Sequence, residues 1–297
     1  MTILAHASSH AFRDSFGSDP IIVAYGAGVD STAMLIGLRD RNISPNLILF
    51  ADTGSEKPET IAYLGVIGAW LAANAFPPIT IVRRRSPRAG DTSLHEECLR
   101  KSILPSLAYG GHSCSLKWKV DPQWAFTRDH FGWERRQRRW RHGAFVTKLI
   151  GYDAGPADAR RIVKASGKWP PGHRYRYPLA EWGWTREICE RVIADEGLPT
   201  PLKSACFMCP ASKKHEVDWI AVTHPELATI SIEMERRAHR RGLTTTCGLG
   251  RRWSWSEHLG AGDPKEPASP RAARAPFQSG DLRCSRPQLF DLSEHHN

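Results

Sequence analysis

Ile21-Ile22-Val23-Ala24-Tyr25-Gly26-Ala27-Gly28-Val29-Asp30-Ser31-Thr32 is the stretch on which the reading of this chain turns. Its apolar start, Ile21–Tyr25, predicts a strand, its glycines a tight turn, and Met34, Leu35 and Leu38 a helix over Ser31–Arg41. A turn that opens a helix presents unbonded N–H groups and the positive end of the helix dipole, an arrangement that suits phosphate. A Walker loop would need a lysine before the hydroxyl residue, and none is present. A dinucleotide fingerprint fits Gly26 and Gly28, with Asp52 at the distance of the ribose acid, but Ser31 stands at its third glycine. Asp30 would then face the pyrophosphate, whereas an acid there is better placed beside Mg2+. The bland alternative is a strand-to-helix turn with no ligand.

Outward from the loop, strands are predicted at Leu47–Ala51, Ile79–Val82 and Val146–Ile150. Between them Pro58 opens a helix whose Ile61, Leu64, Ile67 and Leu71 share a face, and Thr185 caps another that turns Ile188, Val192 and Ile193 inward. Further helices are expected around Ala157–Lys164, through Val217 and Ile220, and over Pro225–Arg240; residues 83–142 give no clear pattern. Strands alternating with helices imply an α/β fold, a parallel twisted sheet flanked by helices, with ligand at the carboxyl ends of the strands. A helical, cysteine-containing part follows, and the expected organisation is an extension over 1–18, one domain over 19–258 and a Pro-, Ala- and Arg-rich tail over 259–297.

The loop Gly26-Ala27-Gly28-Val29-Asp30-Ser31 resembles the PP-loop of ATP pyrophosphatases, Ser-Gly-Gly-x-Asp-Ser, with Gly26 lacking the first hydroxyl and Ala27 replacing a glycine. Asp52-Thr53-Gly54, then Pro58-Glu59-Thr60, looks like the segment after the second strand in the phosphoadenylyl-sulfate (PAPS) reductase family; a capped helix entrance is the plainer reading. The resemblance implies the adenine nucleotide alpha-hydrolase-like fold. It also implies a nucleotide, ATP or else APS or PAPS, held by Tyr25, Gly26, Ala27, Gly28, Val29, Asp30, Ser31, Thr32, Asp52, Thr53 and Gly54. Asp30 and Ser31 would be catalytic, with Asp30 helping to hold Mg2+. Arg160 and Arg161, after Gly151-Tyr152-Asp153, fall where the family carries arginines near the nucleotide, although a solvated helix face explains them equally.

Seven cysteines with a Cys206-x-x-Cys209 pair read as metal-binding or redox in a reducing compartment. Cys114, followed by Lys117, Lys119, Val120 and Pro122, and the pair Cys206 and Cys209 before Pro210 resemble the cysteine segments of the family's iron-sulfur members, with Ser115 where a second cysteine would stand. That resemblance implies a [4Fe-4S] cluster on Cys114, Cys206 and Cys209, its remaining iron open or held by Cys98, Cys189, Cys247 or Cys284. A structural zinc completed by Cys114 and His215 is the alternative.

Lys and Arg number 41 against 31 Asp and Glu, a formal charge of +10 that favours an anionic partner. Arg135, Arg136, Arg138, Arg139 and Trp140 interleave cations with indoles as a surface for tRNA or DNA would, or form a helix with Trp133 and Trp140 packed inward. A further basic cluster runs from Arg236 to Arg252. No window is apolar enough to span a membrane and residues 1–12 show no leader pattern, so the expected location is cytoplasmic. The sequence sets no oligomeric state. The chain lacks the Glu-Cys-Gly-Leu/Ile-His segment of true reductases, with Cys247-Gly248-Leu249 the nearest echo. The expected enzyme is therefore one that adenylates an oxygen of a substrate with ATP, after which the iron-sulfur cluster delivers sulfur from a donor to displace AMP. An APS/PAPS reductase drawing on a thioredoxin-like reductant, and a zinc-stapled nucleic-acid-binding protein, are the alternatives.

Overall fold

The computed structural model describes residues 16–84, 92–134, 139–141 and 145–261, with only the backbone of Arg139. Arg135, Arg136, Arg138, Cys284 and nearly all of the expected tail lie outside the described residues. The chain divides into two units, one of residues 1–93 and 115–206, the other of residues 94–114 and 207–297. The boundary falls inside the Cys206-x-x-Cys209 pair.

The first unit is built on a parallel sheet of β1 (Ile21–Tyr25), β2 (Leu47–Asp52), β3 (Ile79–Arg83), β6 (Val146–Ile150) and β7 (His173–Arg176), in the order β3-β2-β1-β6-β7. The hydrogen-bonded neighbours β1 and β6 mark the point where strand order reverses, which in open α/β sheets is where ligands bind. Both faces of the central strands are covered, so they read as unbroken apolar runs rather than alternations. On one face Val23, Tyr25, Ile48, Phe50 and Leu149 pack with residues of α1 (Val29–Asp40), α2 (Pro58–Ala73) and α7 (Arg186–Asp195). On the other, Ile22, Leu47, Leu49, Ala51, Val82 and Val146 meet Trp140, Phe126, Phe131 and Trp133.

Several elements differ in detail from expectation. In α2 the buried stripe is Thr60, Tyr63, Ile67, Trp70 and Leu71, while Ile61 is exposed. The helix is rotated because Trp70 turns inward, where its indole N–H donates to Glu196 Oε1 at 2.8 Å. In α7 Ile193 is buried and Val192 packs against the core as expected, and Cys189 is a further inward residue. Thr185 stands at the N-cap of that helix, but its hydroxyl donates to Glu187 Oε2 at 2.6 Å instead of capping an N–H.

Within residues 83–142 the chain forms α3 (Leu94–Lys101), a short turn Ser113–Ser115 widening into a π-helical turn Leu116–Val120, and α4 (Asp121–Phe131). A two-stranded ribbon follows, β4 (Trp133–Glu134) against β5 (Arg139–Trp140). Trp133 and Trp140 are thus cross-strand partners, with rings 4.9 Å apart, rather than residues two turns apart on a helix. The remaining helices of the first unit are α5 (Pro156–Ala165) and α6 (Pro178–Glu181).

The second unit is helical and holds α3 together with α8 (Lys214–Thr223), α9 (Pro225–Arg240) and α10 (Trp255–His258). Fully buried Glu235 on α9 accepts the N–H groups of Leu249 and Trp255 at Oε1 and of Ser256 at Oε2, fixing the irregular segment before α10. No helix among the described residues is long and apolar enough to cross a membrane.

Candidate nucleotide site

The glycine loop leaves β1 at the reversal point and enters α1 with Gly28 as N-cap. Ala27 takes a left-handed φ of 55°, a conformation glycine adopts without cost. Ser31 folds back on the loop: its hydroxyl oxygen accepts from Gly26 N at 3.2 Å and Gly28 N at 3.3 Å, and donates to Gly28 O at 3.1 Å. Thr32 N makes the first helical bond, to Gly28 O. The N–H groups of Ala27, Val29, Asp30 and Ser31 have no acceptor among the described residues. Four such donors at a helix start form a cradle for an anion. The end of β6 closes on it, since a Cβ on Gly151 would stand 3.0 Å from Ser31 N, a tighter contact than most side chains make. Tyr25 is buried behind the loop, its hydroxyl 3.1 Å from Thr32 Oγ1, and burial pushes its pKa up.

Asp30 is paired. Arg186 Nη1 lies 3.1 Å from its Oδ1, and Arg186 Nε also reaches Glu190 at 2.9 Å. Burial pushes the Asp30 pKa up, Arg186 pulls it back, and the neighbouring Asp153 and Asp158 push it up again. Mg2+ is commonly held by one or two carboxylates plus substrate phosphates, so Asp30, at the cradle, is the residue that would hold it. Arg161 is engaged by Asp158 at 2.7 Å and lies over the Tyr152 ring at 5.9 Å, while Arg160 is exposed on α5.

The second block does not present free side chains. Buried Asp52 accepts Gly54 N at 2.7 Å through Oδ1 and Arg83 Nε at 2.8 Å through Oδ2, which holds Gly54 at φ 65° and ties the turn to β3. Thr53 Oγ1 donates to Glu56 Oε1 at 3.0 Å and lies 3.3 Å from Cys206 Sγ. Glu56 has a side chain 1% exposed, with Lys119 Nζ 3.2 Å from Oε1 and no partner on Oε2.

Among the described residues no group of three His, Cys, Asp or Glu side chains is placed to hold a metal; Cys206 belongs to the first unit, and Cys114, Cys209 and His215 to the second. Cys206 is engaged with Thr53 and, at 4.0 Å, Glu56. Cys189, a candidate fourth ligand, is fully buried in α7 and its thiol is pushed up to about 12 by burial, reinforced by Asp30 and Asp153.

Trp140, expected as a platform for bases, is 1% exposed, and its indole N–H donates to Gly172 O at 2.7 Å. It is a core residue and offers no face to a nucleic acid. Arg186, Asp158 and Ser204 were missed by the sequence reading, because each reaches the loop from a distant segment and carries no local motif.

No family model matches the chain, and no curated protein does. Among solved structures the chain is similar to the phosphoadenylyl-sulfate (PAPS) reductase from Candida auris in its phosphate complex, with a TM-score of 0.42 and 17% identity over 65% of this chain and 81% of that one. It is also similar to the U34-tRNA thiolase NcsA from Methanococcus maripaludis with its [4Fe-4S] cluster, with a TM-score of 0.41 and 14% identity over 80% of this chain and 81% of that one.

Proposed function

We propose that the chain is an enzyme that binds an adenine nucleotide at residues 26–32 and uses ATP to adenylate an oxygen of its substrate, after which a sulfur nucleophile displaces AMP. The observation that carries the reading is the set of four unpartnered N–H groups at the start of α1, placed where strand order reverses. The adenine half rests on the PP-loop-like sequence. In the first step the substrate oxygen attacks the α-phosphorus, the bond to the β-phosphate breaks, and pyrophosphate leaves. The loop donors would stabilise the charge gathering on the phosphate oxygens. Mg2+ held by Asp30 would shield the same charge. In the second step the sulfur–carbon bond forms as the carbon–oxygen bond to AMP breaks, because AMP leaves far more readily than oxide. The acceptor class this reading favours is a base of tRNA or DNA.

The test is turnover by full-length protein purified without oxygen, given ATP, APS or PAPS in separate reactions with bulk tRNA or DNA. Pyrophosphate release from ATP is the expected result. Sulfite from APS or PAPS with thioredoxin, and no pyrophosphate from ATP, would establish the reductase reading in its place.

A further inference from the structure

We infer that Ser204 supplies the side-chain hydroxyl that grips the bound phosphate at the glycine loop; the inference rests on the nucleotide reading above and names a residue that reading does not contain. Ser204 lies in a segment held against the β2–α2 turn at two points. Lys57 Nζ donates to Lys203 O at 3.3 Å, and Cys206 forms an antiparallel bridge with Glu56. This tether carries Ser204 over the loop, so that a Cβ on Gly28 would stand 2.7 Å from Ser204 Oγ and one on Gly26 3.8 Å from it. The two glycines therefore do more than permit a turn. At residue 28 the absence of a side chain is what leaves room for the serine.

The hydroxyls near the loop are in different states. Ser31 Oγ accepts twice and donates once, which exhausts a hydroxyl. Thr32 Oγ1 is engaged with Tyr25. Ser204 Oγ has no hydrogen-bond partner among the described residues. A half-buried hydroxyl held beside unpartnered N–H groups is short of an acceptor, and an anionic phosphoryl oxygen is the group that satisfies both at once. Ser31, which the sequence nominates as the catalytic hydroxyl, organises the loop; Ser204, some 170 residues further along the chain, is the one free to donate. Because only Ala205 separates Ser204 from Cys206, phosphate bound there would also hold the segment that carries that thiol.

The experiment is equilibrium titration of the full chain with ATP and Mg2+, for wild type, S204A, G26S and the double variant G26S/S204A, with melting temperatures recorded for each. S204A is expected to bind roughly tenfold or more weakly, the size of one charge-assisted hydrogen bond. Position 26 has space for a side chain, with nothing nearer than 3.8 Å to its Cβ, so G26S brings a hydroxyl to the same region and the double variant is expected to recover most of the affinity. A purely structural serine would not be rescued from another segment. The inference is overturned by S204A binding as tightly as wild type, or by a double variant as weak as S204A at an unchanged melting temperature. Wild type that binds no ATP overturns the nucleotide reading itself, a distinct outcome from wild type and S204A binding equally.

Discussion

At the scale of single residues the site poses an electrostatic problem, because Asp30 puts a carboxylate at the start of a helix where a phosphate is to bind. Arg186 answers it with a guanidinium 3.1 Å away, shared with Glu190. Removing that charge leaves Asp30 facing the ligand beside Asp153 and Asp158, which already push its proton affinity up. R186Q is therefore expected to weaken ATP binding about tenfold without Mg2+ and much less with Mg2+ in excess, since the metal then supplies the missing positive charge. Titrations in EDTA and in Mg2+ check this; equal loss under both conditions would show that Arg186 acts through packing alone. The loop itself was legible in the sequence because glycines, acid and hydroxyl follow one another at fixed spacing. Arg186 and Ser204 were not, because their place depends on α7 lying against α1 and on the tether at Lys57 and Glu56, neither of which leaves a local trace.

At the scale of elements, β6 carries an unusual load. Lys148 sits in the middle of this strand, 7% exposed, with its ammonium 6.0 Å from the Tyr175 ring and no ion-pair partner among the described residues. Burial pushes its pKa down to about 8 from 10.5. His173 on the adjacent strand is pushed down to about 4, mainly by burial and further by Lys148. Since folding lowers the lysine pKa, the charged form costs stability below pH 8, and the cost fades as pH rises from about 8 towards 10.5. K148M keeps the bulk and removes the charge, so it is expected to be more stable than wild type at pH 7, on the order of 3 kcal/mol. Urea midpoints across pH 7 to 10.5 check this, with the gap narrowing at the alkaline end. The central strands β1, β2 and β6 were readable because burial on both faces leaves near-continuous apolar runs. The edge strand β7, His-Arg-Tyr-Arg, was not, since its exposed side carries arginines. The ribbon β4–β5 was equally hidden, its strands being two residues each and its signal a pair of tryptophans that a helix would explain as well.

At the scale of the whole molecule, the net charge of +10 reads differently once the arginines are placed. Much of the basic cluster after residue 235 is spent inside the second unit. Arg237 and Arg241 donate to Leu99 O and Lys101 O at the end of α3, and Arg251 donates to Leu107 O at 2.8 Å. These residues tie backbone carbonyls together instead of forming a free basic face. The expected α/β class is observed as a five-stranded parallel sheet with helices on it. The division into two units had no compositional mark in the sequence, because the chain leaves the first unit at residue 94, returns at 115 and leaves again at 207. The proposal that rests on all three scales is that the first unit holds a nucleotide phosphate where β1 and β6 meet. Isothermal titration of the full chain with ATP and Mg2+, alongside G151V, tests it most directly, because a side chain at 151 would press into Ser31 N at 3.0 Å and the Asp30 carbonyl carbon at 3.1 Å and so distort the cradle. The account predicts saturable binding at about one ATP per wild-type chain and at least a tenfold loss in G151V; wild type that takes up no ATP, or G151V that binds it equally well, would contradict it.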